Sequence, residues 1–122
     1  MATSTSSLSF QLAQFTHELR LDAIPAAVRQ LARMHLADAL GVALGGAAVP
    51  AHRRLLMHLR SEGGSQGPAT VLGFAGGLPA PMAAMLNGLS IHSLEYDDTH
   101  MASIVHGSAV IVPAALAAPS SA

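Results

Sequence analysis

The apolar positions fall into a series of helical patterns separated by glycine- and proline-rich breaks. Leu8, Leu12, Phe15 and Leu19 recur at spacings of four, three and four, which puts them on one face of a helix over residues 8–19. Ser7 or Ser9 can cap its start, and Arg20 sits where a cation favours a helix end. Leu21–Pro25 forms a connector, with Pro25 suited to a first helical turn. From there Val28, Leu31, Ala32, His35, Leu36, Ala39, Leu40 and Ala43 mark a long amphipathic helix to about Leu44, which Gly45-Gly46 is expected to end. Pro50 opens a third helix to about Arg60, with Leu55, Leu56 and Leu59 inward and Arg53, Arg54 and His58 outward.

The second half reads less evenly. Ser61–Pro68 is a glycine- and serine-rich loop. Ala69–Gly73 fits a short strand with no evident partner, followed by a turn at Gly76-Gly77. Pro79 and Pro81 open a helix to about Leu94 whose Ala83, Ala84, Gly88 and Ser90 would let another helix approach closely. Glu95–Gly107 is polar and irregular. Ser108–Ala118 begins one more apolar helix, containing Pro113, and Pro119–Ala122 closes the sequence without a further element. The expected class is mostly α, one incomplete helical domain over 1–122, with no internal repeat.

Composition changes this picture in one respect. Apolar residues make up 51% of the 122 positions, aromatics only 3% and charged residues 11%, with a mean hydropathy of +0.44. Charge that sparse falls well below the roughly 25% of an ordinary soluble domain. Helices this apolar, with almost no large rings to seal a core, read as part of a larger bundle or oligomer. No run reaches about 18 uninterrupted apolar residues, so no membrane helix is expected, and the opening Met1–Phe10 lacks the basic and apolar regions of a secretory signal. Cysteine is absent, which excludes disulfides and thiolate metal sites and leans towards a cytoplasmic protein.

Charge is unevenly distributed. Residues 1–60 hold all six arginines against Glu18, Asp22 and Asp38, a balance of +3. Residues 61–122 hold Glu62, Glu95, Asp97 and Asp98 and no arginine or lysine, a balance of −4. Without a basic stripe or stacking aromatics, nucleic-acid binding is not expected.

Reactive groups concentrate in one segment: His92, Glu95, Tyr96, Asp97, Asp98, Thr99, His100 and His106. Carboxylates beside imidazoles suit acid–base chemistry, because charge and burial can move both towards neutrality. Two plainer readings stand beside that one. Asp97-Asp98-Thr99 can be a capped turn whose carboxylates take free backbone N–H groups. His92, Asp97, His100 and His106 can supply metal ligands, although their spacing matches no closed zinc pattern. His17, His35, His52 and His58 lie scattered on helices, as surface or satisfied core groups. The glycine pairs Gly45-Gly46, Gly63-Gly64 and Gly76-Gly77 form no phosphate loop.

Several stretches, in order along the chain, resemble the MmgE/PrpD family. They are Leu12–Phe15 through Leu19-Arg20, Asp22–Pro25, Leu36–Val42, Pro68–Gly73, Leu78–Pro81 with Asn87-Gly88, His92–His100, and His106–Ser108 with Pro113–Leu116. The resemblance runs from about residue 10 to 118 and is most specific in Asp97-Asp98-Thr99-His100. It implies the first part of a large all-helical domain, without the family's smaller α+β domain. It also implies a homodimer and a dehydratase-type lyase acting on small polycarboxylates such as 2-methylcitrate by proton transfer, with no organic cofactor and no metal. Carried over, the first acid of the family's Asp-x-Asp-Asp-Thr pattern falls on Glu95 and its threonine on Thr99. The histidine of its His-Pro-Ser segment falls on His106, with Asp97, Asp98 and His100 filling the motif. Glu95 replaces the commoner aspartate, and Gly107 replaces the proline after His106. Further catalytic residues of the family lie beyond this stretch, so residues 1–122 are expected to be inactive alone. The rival expectations are a non-enzymatic helical fragment dependent on a partner, and a small His/Asp metal-binding module.

Overall fold

The structure, a computed structural model, describes residues 7–62 and 67–118. Gly63–Gln66 of the expected loop Ser61–Pro68 and the closing Pro119–Ala122 lie outside the described residues. Five helices and a two-stranded sheet are present among the described residues: α1 Leu8–Glu18, α2 Ala26–Ala47, α3 Pro50–Ser61, β1 Ala69–Thr70, β2 Gly77–Leu78, α4 Ala80–His92 and α5 Gly107–Ala117. The mostly helical class expected from the sequence is what the chain adopts. It divides into two units, Met1–Ala32 and Arg33–Ala122.

In the first unit Ser7 is the cap, its Oγ accepting from Phe10 N at 3.2 Å. A single 3-10 turn at Leu21–Ala23 follows α1. Arg29 ties that turn to α2 by donating from Nη1 to the carbonyls of Leu21 and Ile24, both at 2.9 Å. Leu8, Leu12 and Phe15 fall at helical spacing within α1, which ends at Glu18, so that Leu19 is its extended C-cap residue; all four are exposed.

In the second unit α2 does not stop at Gly45-Gly46 but continues to Ala47. The reason is a helix crossing. Gly46 is buried, and a Cβ there would collide with the Ser90 carbonyl of α4. The missing side chain therefore serves close approach rather than a helix stop. His52, at the start of α3, is a satisfied core histidine: Nδ1 donates to Gly46 O at 2.8 Å and lies 3.3 Å from Ser90 Oγ. Of the expected inward stripe of α2, Ala39 and Ala43 are buried, while Val28, Leu31 and Leu36 are exposed.

The strand at Ala69–Thr70 has a partner after all. It pairs antiparallel with Gly77–Leu78, Ala69 opposite Leu78 and Thr70 opposite Gly77, so Gly77 belongs to a strand and not to the expected turn. Gly73 and Gly76, both at φ +78, make the reversal between the strands. Asn87 of α4 anchors it, accepting from Leu72 N and donating to Thr70 O, each at 2.9 Å. Its amide thereby acts as a third strand edge, with the residue only 1% exposed. Leu56, Leu59, Val71, Leu78, Ala83 and Leu86 form the main core, and Ala39, Ala43 and Ile91 a second cluster.

α4 and α5 pack very closely. A Cβ on Gly88 would come 2.9 Å from the Ala109 carbonyl and 3.6 Å from Pro113 Cγ. Pro113 is buried inside α5 and has no N–H to give the carbonyl four residues earlier, which is that of Ala109. Among the described residues no single helix is long and apolar enough to cross a membrane; α2 and α3 are so only taken as a pair, and they meet at 87°.

Candidate active site

The close packing of α4 and α5 brings the end of one helix beside the start of the other. His92 is the last residue of α4 and His106 the residue that caps α5. Between them the chain turns sharply. Glu95 N bonds to His92 O at 3.1 Å, and Glu95 itself takes the left-handed backbone at φ 56. That reversal carries Asp97 back under both helix ends.

Asp97 becomes the centre of the cluster. Its Oδ2 accepts from His92 Nδ1 at 2.9 Å and lies 3.2 Å from His106 Nδ1. The two imidazoles meet edge to face, with ring centroids 4.8 Å apart at 72°. The Asp97 side chain has no exposed surface, whereas the His92 and His106 side chains are 48% and 29% exposed. Asp97 Oδ1 is buried with no hydrogen-bond partner among the described residues. The Asp97 hydrogen bond, then its charge, raises the His92 pKa above the usual histidine value; the small desolvation opposes this and Glu95 adds a little.

Asp98 performs a different task. Its Oδ1 accepts from Ser108 N at 3.0 Å, in the first turn of α5, where a carboxylate suits the free N–H groups. His35 Nδ1 stands 3.7 Å from Asp98 Oδ2. Burial pushes the Asp98 carboxyl up, but the Ser108 hydroxyl and N–H, with His35, outweigh it and hold the group below the ordinary range. The capped-turn reading thus describes Asp98, while Asp97 faces the imidazoles.

The segment named from the sequence therefore separates. Asp97, His106 and Thr99 come together, with Thr99 Oγ1 3.5 Å from His106 Nδ1. His100 turns away: its Nδ1 is 2.7 Å from Ser103 Oγ, in a small loop closed by the His100–Val105 bridge. Glu95 is exposed, with no side-chain hydrogen bond or ion pair among the described residues, and reaches the cluster through its charge. His92 enters the site although the family motif did not supply it; its place five residues before Asp97, at a helix end, was the available signal. His35, read as a scattered helix histidine, faces Asp98.

His92 and His106 also border an open apolar hollow of about 560 Å³ between α4 and α5, walled by Met85, Leu89, Val105 and Val110. For a metal, the described residues offer His92, Asp97 and His106, whose ligand atoms lie within 4.8 Å of one another. His100 is not among them.

Residues 10–122 match the family model for the MmgE/PrpD N-terminal domain. The chain belongs to the MmgE/PrpD family. It is 31% identical over 117 residues to a cis-aconitate decarboxylase-like protein, oryM, of Aspergillus oryzae, covering 96% of this chain and 24% of that protein. It is 27% identical, with the same coverage, to a cis-aconitate decarboxylase of Aspergillus terreus. The chain thus spans about a quarter of the length of the curated relatives it matches. The MmgE/PrpD resemblance read from the sequence and the helical fold it implied both hold.

Proposed function

We propose that this chain contributes a proton-transfer centre, His106 with Asp97 and His92, to a dehydratase-type lyase acting on small polycarboxylates such as 2-methylcitrate. The observation that supports this most is one buried carboxylate shared by two partly exposed imidazoles at the edge of an open hollow. Imidazole handles protons near neutral pH. Removing a proton beside a carboxylate frees the C–H electron pair to form the double bond. A β-hydroxyl then leaves with a returned proton as water. Thr99, beside His106, is placed to hydrogen-bond a substrate oxygen, and Glu95 and His100 stand at the rim in this reading. The reaction needs no organic cofactor.

Residues 1–122 alone do not turn over in this proposal. A polycarboxylate needs cationic or strong donor groups to replace its hydration. The stretch from residue 61 on has neither arginine nor lysine and a balance of −4. The missing cations come from outside this stretch, or from a second copy in a homodimer joined through its exposed apolar helices. The proposed setting is the cytoplasm.

The test pairs two measurements: turnover on residues 1–122 alone, and ligand binding on the same residues joined to the remaining length of an MmgE/PrpD relative. Incubation with 2-methylcitrate or cis-aconitate, followed by unsaturated-acid absorbance, gives no turnover. In the joined chain, where the cations are supplied, tricarboxylates shift the ring resonances of His92 and His106, and acetate does not. Turnover that disappears in His106→Ala overturns the proposed inactivity. Rings indifferent to tricarboxylates overturn the site assignment.

A further inference from the structure

The two imidazoles do not stand equivalently to their surroundings, because one oxygen serves both. Asp97 Oδ2 lies 2.9 Å from His92 Nδ1 and 3.2 Å from His106 Nδ1, while Oδ1 has no partner among the described residues. A carboxylate only accepts hydrogen bonds. A ring nitrogen facing it therefore carries the hydrogen, and the tautomer of a histidine follows from the bond its other nitrogen makes. The side chain of Asp97 has no exposed surface, so it does not meet a substrate; His92 and His106 do border the hollow.

We propose that Asp97 is a positioning residue that holds His106, together with His92, in the Nδ1–H form and so leaves His106 Nε2 as the atom that takes and returns the proton. This rests on the proton-transfer reading for the identity of the substrate-facing group. The tautomer itself does not. A free neutral imidazole favours the opposite form, with hydrogen on Nε2, so the site must impose the one assigned here. Thr99 Oγ1 also lies near His106 Nδ1, at 3.5 Å. A hydroxyl both donates and accepts, so it does not select a tautomer as the carboxylate does. The other charged groups near the pair are Glu95, beside His92, and Asp98, which is engaged by Ser108 and His35. Neither carboxylate is a hydrogen-bond partner of His106 Nδ1 among the described residues.

The measurement is the nitrogen-15 spectrum of the histidine rings in the whole chain, at a pH where both rings are neutral. The expected wild-type result is a protonated, pyrrole-type Nδ1 and an unprotonated, pyridine-type Nε2 at His106 and at His92. Thr99→Val keeps that pattern. Asp97→Leu, an apolar replacement of similar volume, returns both rings to the free-imidazole pattern with hydrogen on Nε2. A pyridine-type Nδ1 at His106 in the wild type overturns the assignment and needs no variant to fold. So does an Asp97→Leu chain with wild-type ring shifts. If tricarboxylates leave the rings unmoved while the wild-type Nδ1–H pattern is present, the proton-transfer reading falls and the tautomer assignment stands.

Discussion

His92 and His106 stand edge to face across a single carboxylate, 4.8 Å between ring centroids, although 13 residues separate them in the chain. What joins them is the meeting of two helix ends. The properties of the cluster should therefore respond both to its own chemistry and to the packing of α4 on α5.

The first prediction concerns pH. His92 has a raised pKa in the folded chain, chiefly through its hydrogen bond to Asp97. Its contribution to stability is fully present below the unfolded value of 6.5 and is lost as pH rises through the folded value. Thermal melts of wild type and Asp97→Asn should differ most below 6.5 and converge partly above it. A constant difference across that window would remove the charge from the account.

Asp98 gives the opposite sign. Its folded pKa is depressed, so its contribution is present above the unfolded value of 3.8 and is lost as pH falls through the folded value. Asp98→Asn should lower the melting temperature at neutral pH and matter progressively less under acid. Equal losses at neutral and acid pH would contradict this.

Two glycines of the same helix should respond in opposite directions. Gly46→Ala drives a methyl into the Ser90 carbonyl and is expected to cost about 1–3 kcal/mol, as overpacking does. Gly41 is exposed with nothing within 4 Å of an added Cβ, so Gly41→Ala should stabilise α2 by about 0.5–1 kcal/mol. Denaturant midpoints that move together would refute the assigned crossing.

Asn87→Leu leaves the Leu72 N–H and the Thr70 carbonyl without the partner they have now. A loss of about 2 kcal/mol is expected, within the range for unsatisfied buried polar groups. Loss of protection at the Leu72 amide in hydrogen exchange would localise it. An unchanged exchange rate there would assign the anchor elsewhere.

Chelator treatment should leave the His92 and His106 ring resonances in place, because a proton and not a metal joins them to Asp97 in our reading. Stoichiometric zinc recovered from untreated protein, with shifts lost on chelation, would replace that reading by a metal centre on the same three residues.

Much of the helical frame is legible in the sequence because it rests on local signals. Ser7 caps α1 through its own side chain, and prolines at 50 and 81 mark the starts of α3 and α4. Where sequence and structure differ, the cause is a contact far along the chain. Gly46 looks like a helix stop until Ser90 is seen against it, and Ala69–Thr70 lacks a partner until Gly77–Leu78 returns beside it. The site divides the same way. Periodicity cannot distinguish Asp97 from Asp98, since which one meets the imidazoles depends on the left-handed turn at Glu95. Nor can it show that His100 spends its Nδ1 on Ser103.

Gly88 lies one helical turn before His92, and Ala109 one turn after His106. The contact between them, where a carbonyl that receives no N–H from Pro113 faces a residue without a side chain, consequently works as a gauge. It sets how far apart the two helix ends stand, and with them the span that one carboxylate oxygen has to bridge. A single methyl at position 88, on a residue that itself bonds to neither ring, would be read out as the separation of two rings from their shared acceptor.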